Sequence, residues 1–138
     1  MSTVVVSRKK GEMSGDTHTT DGSSYFNTRK VFYVNGSLVG VIGPAEDILA
    51  FVEYVKDPQE PPEVGDDFQA LVLKKDKKLY MYESIDKPII VMDDWYAIGS
   101  GSQVARYIMR KKGTTEEAVK AAIEVDDATG GTVHTVRL

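Results

Sequence analysis

The pair Asn35-Gly36 constrains this chain more than any other two residues. Asn and Gly tolerate the positive φ angles of a tight type I′ turn, and β-rich segments flank them on both sides. Lys30-Val31-Phe32-Tyr33-Val34 and Ser37-Leu38-Val39-Gly40-Val41-Ile42 are therefore expected to pair as an antiparallel hairpin. Gly43-Pro44 then opens a helix, since proline is tolerated at the first helical position and Glu46 and Asp47 suit the positive end of the helix dipole. Ile48, Phe51, Val52 and Val55 fall at i, i+3, i+4 and i+7 and give that helix one apolar face. Pro58 stops it, and residues 57–66, with Pro61, Pro62 and Gly65, read as a linker.

The rest of the chain follows the same logic. Thr3 to Ser7 is a β-rich run, Arg8-Lys9-Lys10-Gly11 a turn, and a short strand follows toward Ser14. Thr17 to Ser24, rich in Thr, Ser, Asp and Gly, reads as a loop. Phe68 to Leu73 and Leu79 to Glu83 form a second hairpin around a lysine-rich turn. Ile89 to Met92 and Trp95 to Ile98 are two further strands. Gly99-Ser100-Gly101-Ser102 leads into a helix with Val104, Ala105 and Ile108 inward, ended by Gly113. Thr114-Thr115-Glu116-Glu117 is a capping box for a last helix whose buried stripe is Ala118, Ala121, Ala122 and Val125. Gly130-Gly131 breaks it, and Thr132 to Leu138 returns as a strand. Grouped strands with grouped helices indicate an α+β fold, with two antiparallel sheets stacked between helices, rather than a parallel βαβ sheet.

The 138 residues suit one domain, spanning 1–138. With no cysteine, a disulfide framework, Cys-based metal sites and a thiol nucleophile are excluded. A net charge of −4 disfavours nucleic acid as the main partner. No run of apolar residues is long enough for a membrane span, and the N-terminus does not read as a signal peptide, so a cytoplasmic protein is expected. The short basic clusters read as solvated turns and helix ends. His18 and His134 have no partners at metal-ligand spacing, and neither a metal nor a cofactor is expected. Gly99-Ser100-Gly101 fails as a dinucleotide fingerprint, because Val104 stands where Gly or Ala is needed.

One arrangement does make chemical sense. If Met1 is removed, Ser2 becomes the first residue and carries a free α-amine. That amine has an unperturbed pKa near 8 and can accept the proton of its own residue's hydroxyl, so no histidine is needed. A cation must sit nearby, and a carboxylate must orient it. Lys30 can supply the first and Asp16 the second.

These residues, in this order, resemble the N-terminal-nucleophile family of proteasome β subunits and the bacterial HslV peptidase. Gly15 to Gly22 is similar to the family's Asp-x-Arg-x-Thr loop, with His18 in the arginine position. The resemblance puts the catalytic aspartate at Asp16, and the segment Asn27-Thr28-Arg29-Lys30-Val31 puts the catalytic lysine at Lys30. Ile42-Gly43-Pro44-Ala45-Glu46-Asp47 is similar to the Ala-Gly-x-x-x-Asp turn, which makes the Gly43 amide the oxyanion donor. Ala97-Ile98-Gly99-Ser100-Gly101 implies an accessory serine at Ser100. Asp126-Asp127-Ala128-Thr129-Gly130-Gly131 resembles Asp-x-x-Ser-Gly-Gly and implies accessory roles for Asp126 and Thr129. Thr19 and Thr20 would bind substrate, and Val31, Val41 and Ala45 would line an apolar specificity pocket.

The resemblance implies a four-layer αββα sandwich and a serine- or threonine-type peptidase acting on peptides or unfolded proteins. It also implies a homo-oligomer of ring form and admits an ATP-dependent unfoldase as partner. Neither nucleic acid nor membrane is implied. The segment before the Phe68 strand is too short for the family's second helix, so one helix of the layers is expected to be absent. A second reading stays open beside the peptidase: an inactive structural or assembly protein that keeps the fold and retains Met1.

Overall fold

The computed structural model describes residues 2–21 and 24–138; Met1, Gly22 and Ser23 lie outside them, and with them part of the expected Thr17–Ser24 loop. The strands are β1 (Thr3–Ser7), β2 (Glu12–Asp16), β3 (His18–Asp21), β4 (Ser24–Asn27), β5 (Val31–Val34), β6 (Ser37–Ile42), β7 (Gln69–Leu73), β8 (Leu79–Tyr82), β9 (Ile89–Val91), β10 (Trp95–Gly99) and β11 (Val133–Arg137). The helices are α1 (Ala45–Lys56), α2 (Ser102–Arg110) and α3 (Thr115–Val125). No helix among the described residues is long and apolar enough to cross a membrane.

Two antiparallel sheets carry the architecture. The first has the order β10-β1-β2-β11, and the second β5-β6-β7-β8-β9. Alternation along β1 shows how they stack. Val4 and Val6 point toward the second sheet, joining Met13, Val31, Leu38, Leu71 and Leu79 in a core between the sheets. Val5 points the other way, onto Ala105 and Met109 of α2 and Ala118 and Val119 of α3. The outer face of the second sheet (Val39, Val41, Ala70, Val72) packs on Ile48, Phe51 and Val52 of α1. Helix, sheet, sheet and helices thus follow one another, with three apolar cores between them.

The expected Asn35-Gly36 turn forms, with φ of 50° and 81° at its two residues. The capping box also forms: Glu117 N–H donates to Thr114 Oγ1 at 3.0 Å, and Thr114 N–H donates back to the Glu117 carboxylate at 3.0 Å.

Three expectations need correction. The Thr-rich segment contains strands: His18–Asp21 pairs with Ser24–Asn27 in a separate two-stranded sheet, because Thr, Tyr and Phe favour extended backbone despite the polar composition. The buried stripe of α3 is Thr115, Ala118, Val119 and Ala122, while Val125 is exposed. Both stripes obey the same i, i+3, i+4, i+7 rule, and packing against Val5 selects the one that starts three residues earlier. Likewise α2 buries Ala105 and Met109, with Val104 and Ile108 only half-buried. The linker expectation stands: residues 57–66 contain no helix.

Candidate functional site

Strand register assembles the site. Thr3 pairs with Gly99, Val4 with Gly15, and Val133 with Asp16. The start of β1, the ends of β10 and β2 and the start of β11 therefore meet at one end of the first sheet. The second sheet contributes at the same end. Lys30, just before β5, accepts the Val41 N–H at its carbonyl (2.9 Å), and β6 continues from there through Ile42 into Gly43. Residues far apart in sequence thus converge by register alone.

Ser2, Asp16 and Lys30 come together in a dry cluster; Ser2 is 4% exposed, Asp16 0% and Lys30 1%. Lys30 Nζ donates to Ser2 Oγ, to the His18 carbonyl, and to Asp16 Oδ1 at 3.1 Å. The carboxylate is itself fully engaged: Thr3 N–H donates to Oδ1 and Gly130 N–H to Oδ2, each at 3.1 Å. Burial pushes the Lys30 pKa down, and the Asp16 charge and hydrogen bond work against that. An ammonium has three N–H donors, and all three have acceptors here. A group so occupied acts as a fixed positive charge on the Ser2 hydroxyl rather than as a proton acceptor.

A second cluster lies on the other side of β1. Ser100 Oγ donates to Asp126 Oδ2 at 2.6 Å, and Thr129 Oγ1 donates to the same oxygen at 2.5 Å. Thr3 Oγ1 lies 2.8 Å from Thr129 Oγ1. Since the Thr129 proton goes to Asp126, the Thr3 hydroxyl is the donor in that pair. Burial pushes the Asp126 carboxyl up, but the Ser100 and Thr129 hydroxyls and the Ala128 amide outweigh it and hold the carboxyl below the ordinary aspartate range.

Glycine is required where β1 and β10 meet. Gly99 has φ of 103°, and a Cβ there would lie 1.9 Å from the Ser2 carbonyl oxygen. Gly43 has φ of 131°, and a Cβ there would press on the Phe68 backbone at 3.3 Å.

An open cleft leads to Ser2. Its walls are Ser2, His18, Thr19, Thr20, Ile42, Gly43, Pro44 and Asp67. Thr19 and Thr20 thus line this cleft. Val31 and Val41 do not line it: both are fully buried, Val31 between the sheets and Val41 under α1. Ala45 is half-buried at the start of α1, and none of the three lines the cleft. Their alternating neighbour Ile42 forms the apolar wall instead, together with Pro44. The Thr3 and Gly130 amides, the His18 carbonyl and Asp67 escape sequence reasoning. The first three act through the main chain, which carries no residue-type signal, and Asp67 comes just after the linker.

No family model and no curated protein sequence matches the chain. Solved structures do. Thiobacillus denitrificans BPH, seen alone and in complex with epoxomicin, superposes with a TM-score of 0.77 at 20% identity, over 99% of this chain and 97% of that one. Eukaryotic HslV from Trypanosoma brucei superposes with a TM-score of 0.71 at 14% identity, over 97% of both chains. Over nearly its full length, the chain has the fold of BPH and HslV.

Proposed function

We propose that this chain is an N-terminal-nucleophile peptidase of the proteasome and HslV type, one catalytic unit over residues 1–138, with Ser2 as nucleophile after removal of Met1. The observation that carries this reading is the buried contact between Lys30 Nζ and Ser2 Oγ, at the head of a cleft that also contains Gly43. Thr3 is the less suitable nucleophile, because its hydroxyl is committed to Thr129.

In the proposed reaction the Ser2 α-amine takes the Ser2 hydroxyl proton while the Lys30 charge stabilises the forming alkoxide. The oxygen attacks the peptide carbonyl, and the Gly43 amide stabilises the resulting oxyanion. The amine returns its proton to the leaving nitrogen. Water then hydrolyses the ester on Ser2 by the same route. Asp16 orients Lys30, and Ser100, Asp126 and Thr129 hold the start of β1 from its other side.

Peptides or unfolded proteins are the substrates in this reading, and copies of the chain assemble, in a ring if the family's assembly is kept. Residues 57–68 lack a helix, so that assembly uses other surfaces. An ATP-dependent unfoldase as partner rests on the resemblance alone.

The test begins with the intact mass of the natively expressed protein, because Met1 lies outside the described residues. Loss of one methionine mass, peptide hydrolysis, and its abolition in Ser2→Ala and Lys30→Ala are expected. Epoxomicin, which BPH binds in its complex, is expected to bind the Met1-free chain and not Ser2→Ala. A chain that keeps Met1 has no free amine at Ser2, and the inactive structural reading then replaces this one.

A further inference from the structure

Asp67 is an acid in a place the cleft does not need for chemistry. It lines the same cleft as Ser2 and Gly43 and belongs to neither hydrogen-bonded cluster. Its position is built rather than incidental. The Asp47 carboxylate, buried in the first turn of α1, accepts the Gly65 N–H at 3.1 Å. Phe68 N–H donates to the Gly65 carbonyl at 3.3 Å and closes a turn around Asp66 and Asp67. Phe68 is itself fixed in the core against Phe51, with ring centroids 5.3 Å apart. The Gly43 turn abuts the Asp67–Phe68 backbone, so the acid is held at a set place relative to the proposed oxyanion donor.

The other cleft residues define what fits beside it. Ile42 and Pro44 offer an apolar wall, and Thr19 and Thr20 offer hydroxyls. Lys30, the nearest buried cation, is already neutralised by Asp16. His18 is the remaining titratable group in the cleft, and its ring stacks on Tyr25 at 5.2 Å. An apolar wall ending in a carboxylate suits a side chain with an aliphatic stem and a cationic head, which describes lysine and arginine.

We infer that Asp67 makes this cleft select a lysine or arginine side chain on the residue that supplies the scissile carbonyl. This deepens the peptidase reading and rests on it for the word scissile. It replaces the apolar preference expected from Val31, Val41 and Ala45, which do not reach the cleft. Asp67 is solvent-exposed, so the preference is moderate: an exposed ion pair corresponds to a factor of up to about five.

The test uses the full Met1-free chain with two parallel readouts. The first is kcat/KM on fluorogenic peptides that differ only in Arg, Leu or Glu before the scissile bond. The second is equilibrium binding of the corresponding peptide amides to Ser2→Ala, which needs no turnover. The wild-type ratio of Arg to Leu is expected to exceed one and to fall by up to about fivefold in Asp67→Asn, through KM rather than kcat. In Asp67→Lys the Glu peptide is expected to overtake Arg. Hydrolysis with an Arg-to-Leu ratio untouched by Asp67→Asn overturns the inference while leaving the peptidase reading intact. Absence of hydrolysis with Arg-selective binding that Asp67→Asn abolishes removes the peptidase and supports the role of Asp67. Binding without charge discrimination overturns that role on its own.

Discussion

Two hydrogen-bonded clusters flank the start of β1, and water reaches them very differently. The Ser2–Lys30–Asp16 cluster is almost wholly shielded, reached only at Ser2 from the cleft, and an ion pair lies at its centre. The Thr3–Thr129–Asp126–Ser100 cluster opens outward: Thr3 and Thr129 are buried, Asp126 is half-buried and Ser100 is exposed. Successive residues of one strand feed them, because side chains alternate across a pleated backbone. A slip of one residue would put Thr3 on Lys30. The comparison teaches that a dry cluster sets chemistry and is costly to disturb, while a wet one holds position and tolerates change.

The largest expected effect comes from breaking the dry cluster. Lys30→Met leaves Asp16 charged and buried with only two amide donors, and is expected to destabilise the fold by about 3–5 kcal/mol. Adding Asp16→Asn removes the stranded charge and keeps a carbonyl for one of the two amides, while its NH2 faces the other. The double variant is expected to recover part of that loss, which chemical denaturation of the four-member cycle would reveal. Strict additivity would mean that the two groups are not coupled, and the picture of a dry ion pair would fail.

Gly99→Ala comes next. Its new Cβ would collide with the Ser2 carbonyl and must displace backbone, so a loss of roughly 1–3 kcal/mol is expected, together with loss of any Ser2-dependent hydrolysis. Gly101→Ala is its counterpart on the wet side. There the Cβ would meet Thr3 Oγ1 at 2.2 Å, a contact with a side chain instead of with the backbone of Ser2. Melting curves of the two variants should differ less than their activities. Equal activity in both would show that the Ser2 main chain needs no such seat.

Within the wet cluster the effects shrink. Thr129→Val strands the Thr3 hydroxyl in a buried site and removes one donor from Asp126, for an expected loss of about 1–2 kcal/mol. Ser100→Ala removes a donor that water can replace, and is expected to cost under about 1 kcal/mol. The reverse order would mean that exposure is a poor guide to the wet cluster.

How far the sequence disclosed this site depends on what carries each part. Strands and helices were legible from periodicity, and the Asn35-Gly36 turn and the capping box from residue chemistry. Ser2, Lys30 and Asp16 were legible because nucleophile, cation and carboxylate are side-chain properties. The cleft was not. Whether Val41 or Ile42 borders the cleft is a matter of strand phase, and both are apolar, so composition could not choose. The Thr17–Ser24 segment misled because a hairpin outside the main cores needs no apolar alternation. Asp67 was hidden because its placement depends on Asp47 and Gly65 meeting across 18 residues of sequence.

The smallest effect is one of pH, and its range separates the clusters. Asp126 has a folded pKa held below the ordinary aspartate value, chiefly by its hydroxyl donors once burial is set against them. Its contribution to stability is therefore complete above the unfolded pKa of about 3.9 and is lost as pH falls through the lower folded value. Lys30 has the same sign in a more alkaline range. Its folded pKa is lowered, so between that value and the unfolded one near 10.4 the unfolded chain binds more protons, and this group's term favours the fold as pH rises. Denaturation midpoints of wild type and Ser100→Ala, measured from pH 6 down to pH 2, are expected to converge toward acid, because protonated Asp126 no longer needs that donor. A gap that stays constant over this range would mean that the Ser100 hydroxyl stabilises the turn by packing and not through the Asp126 charge.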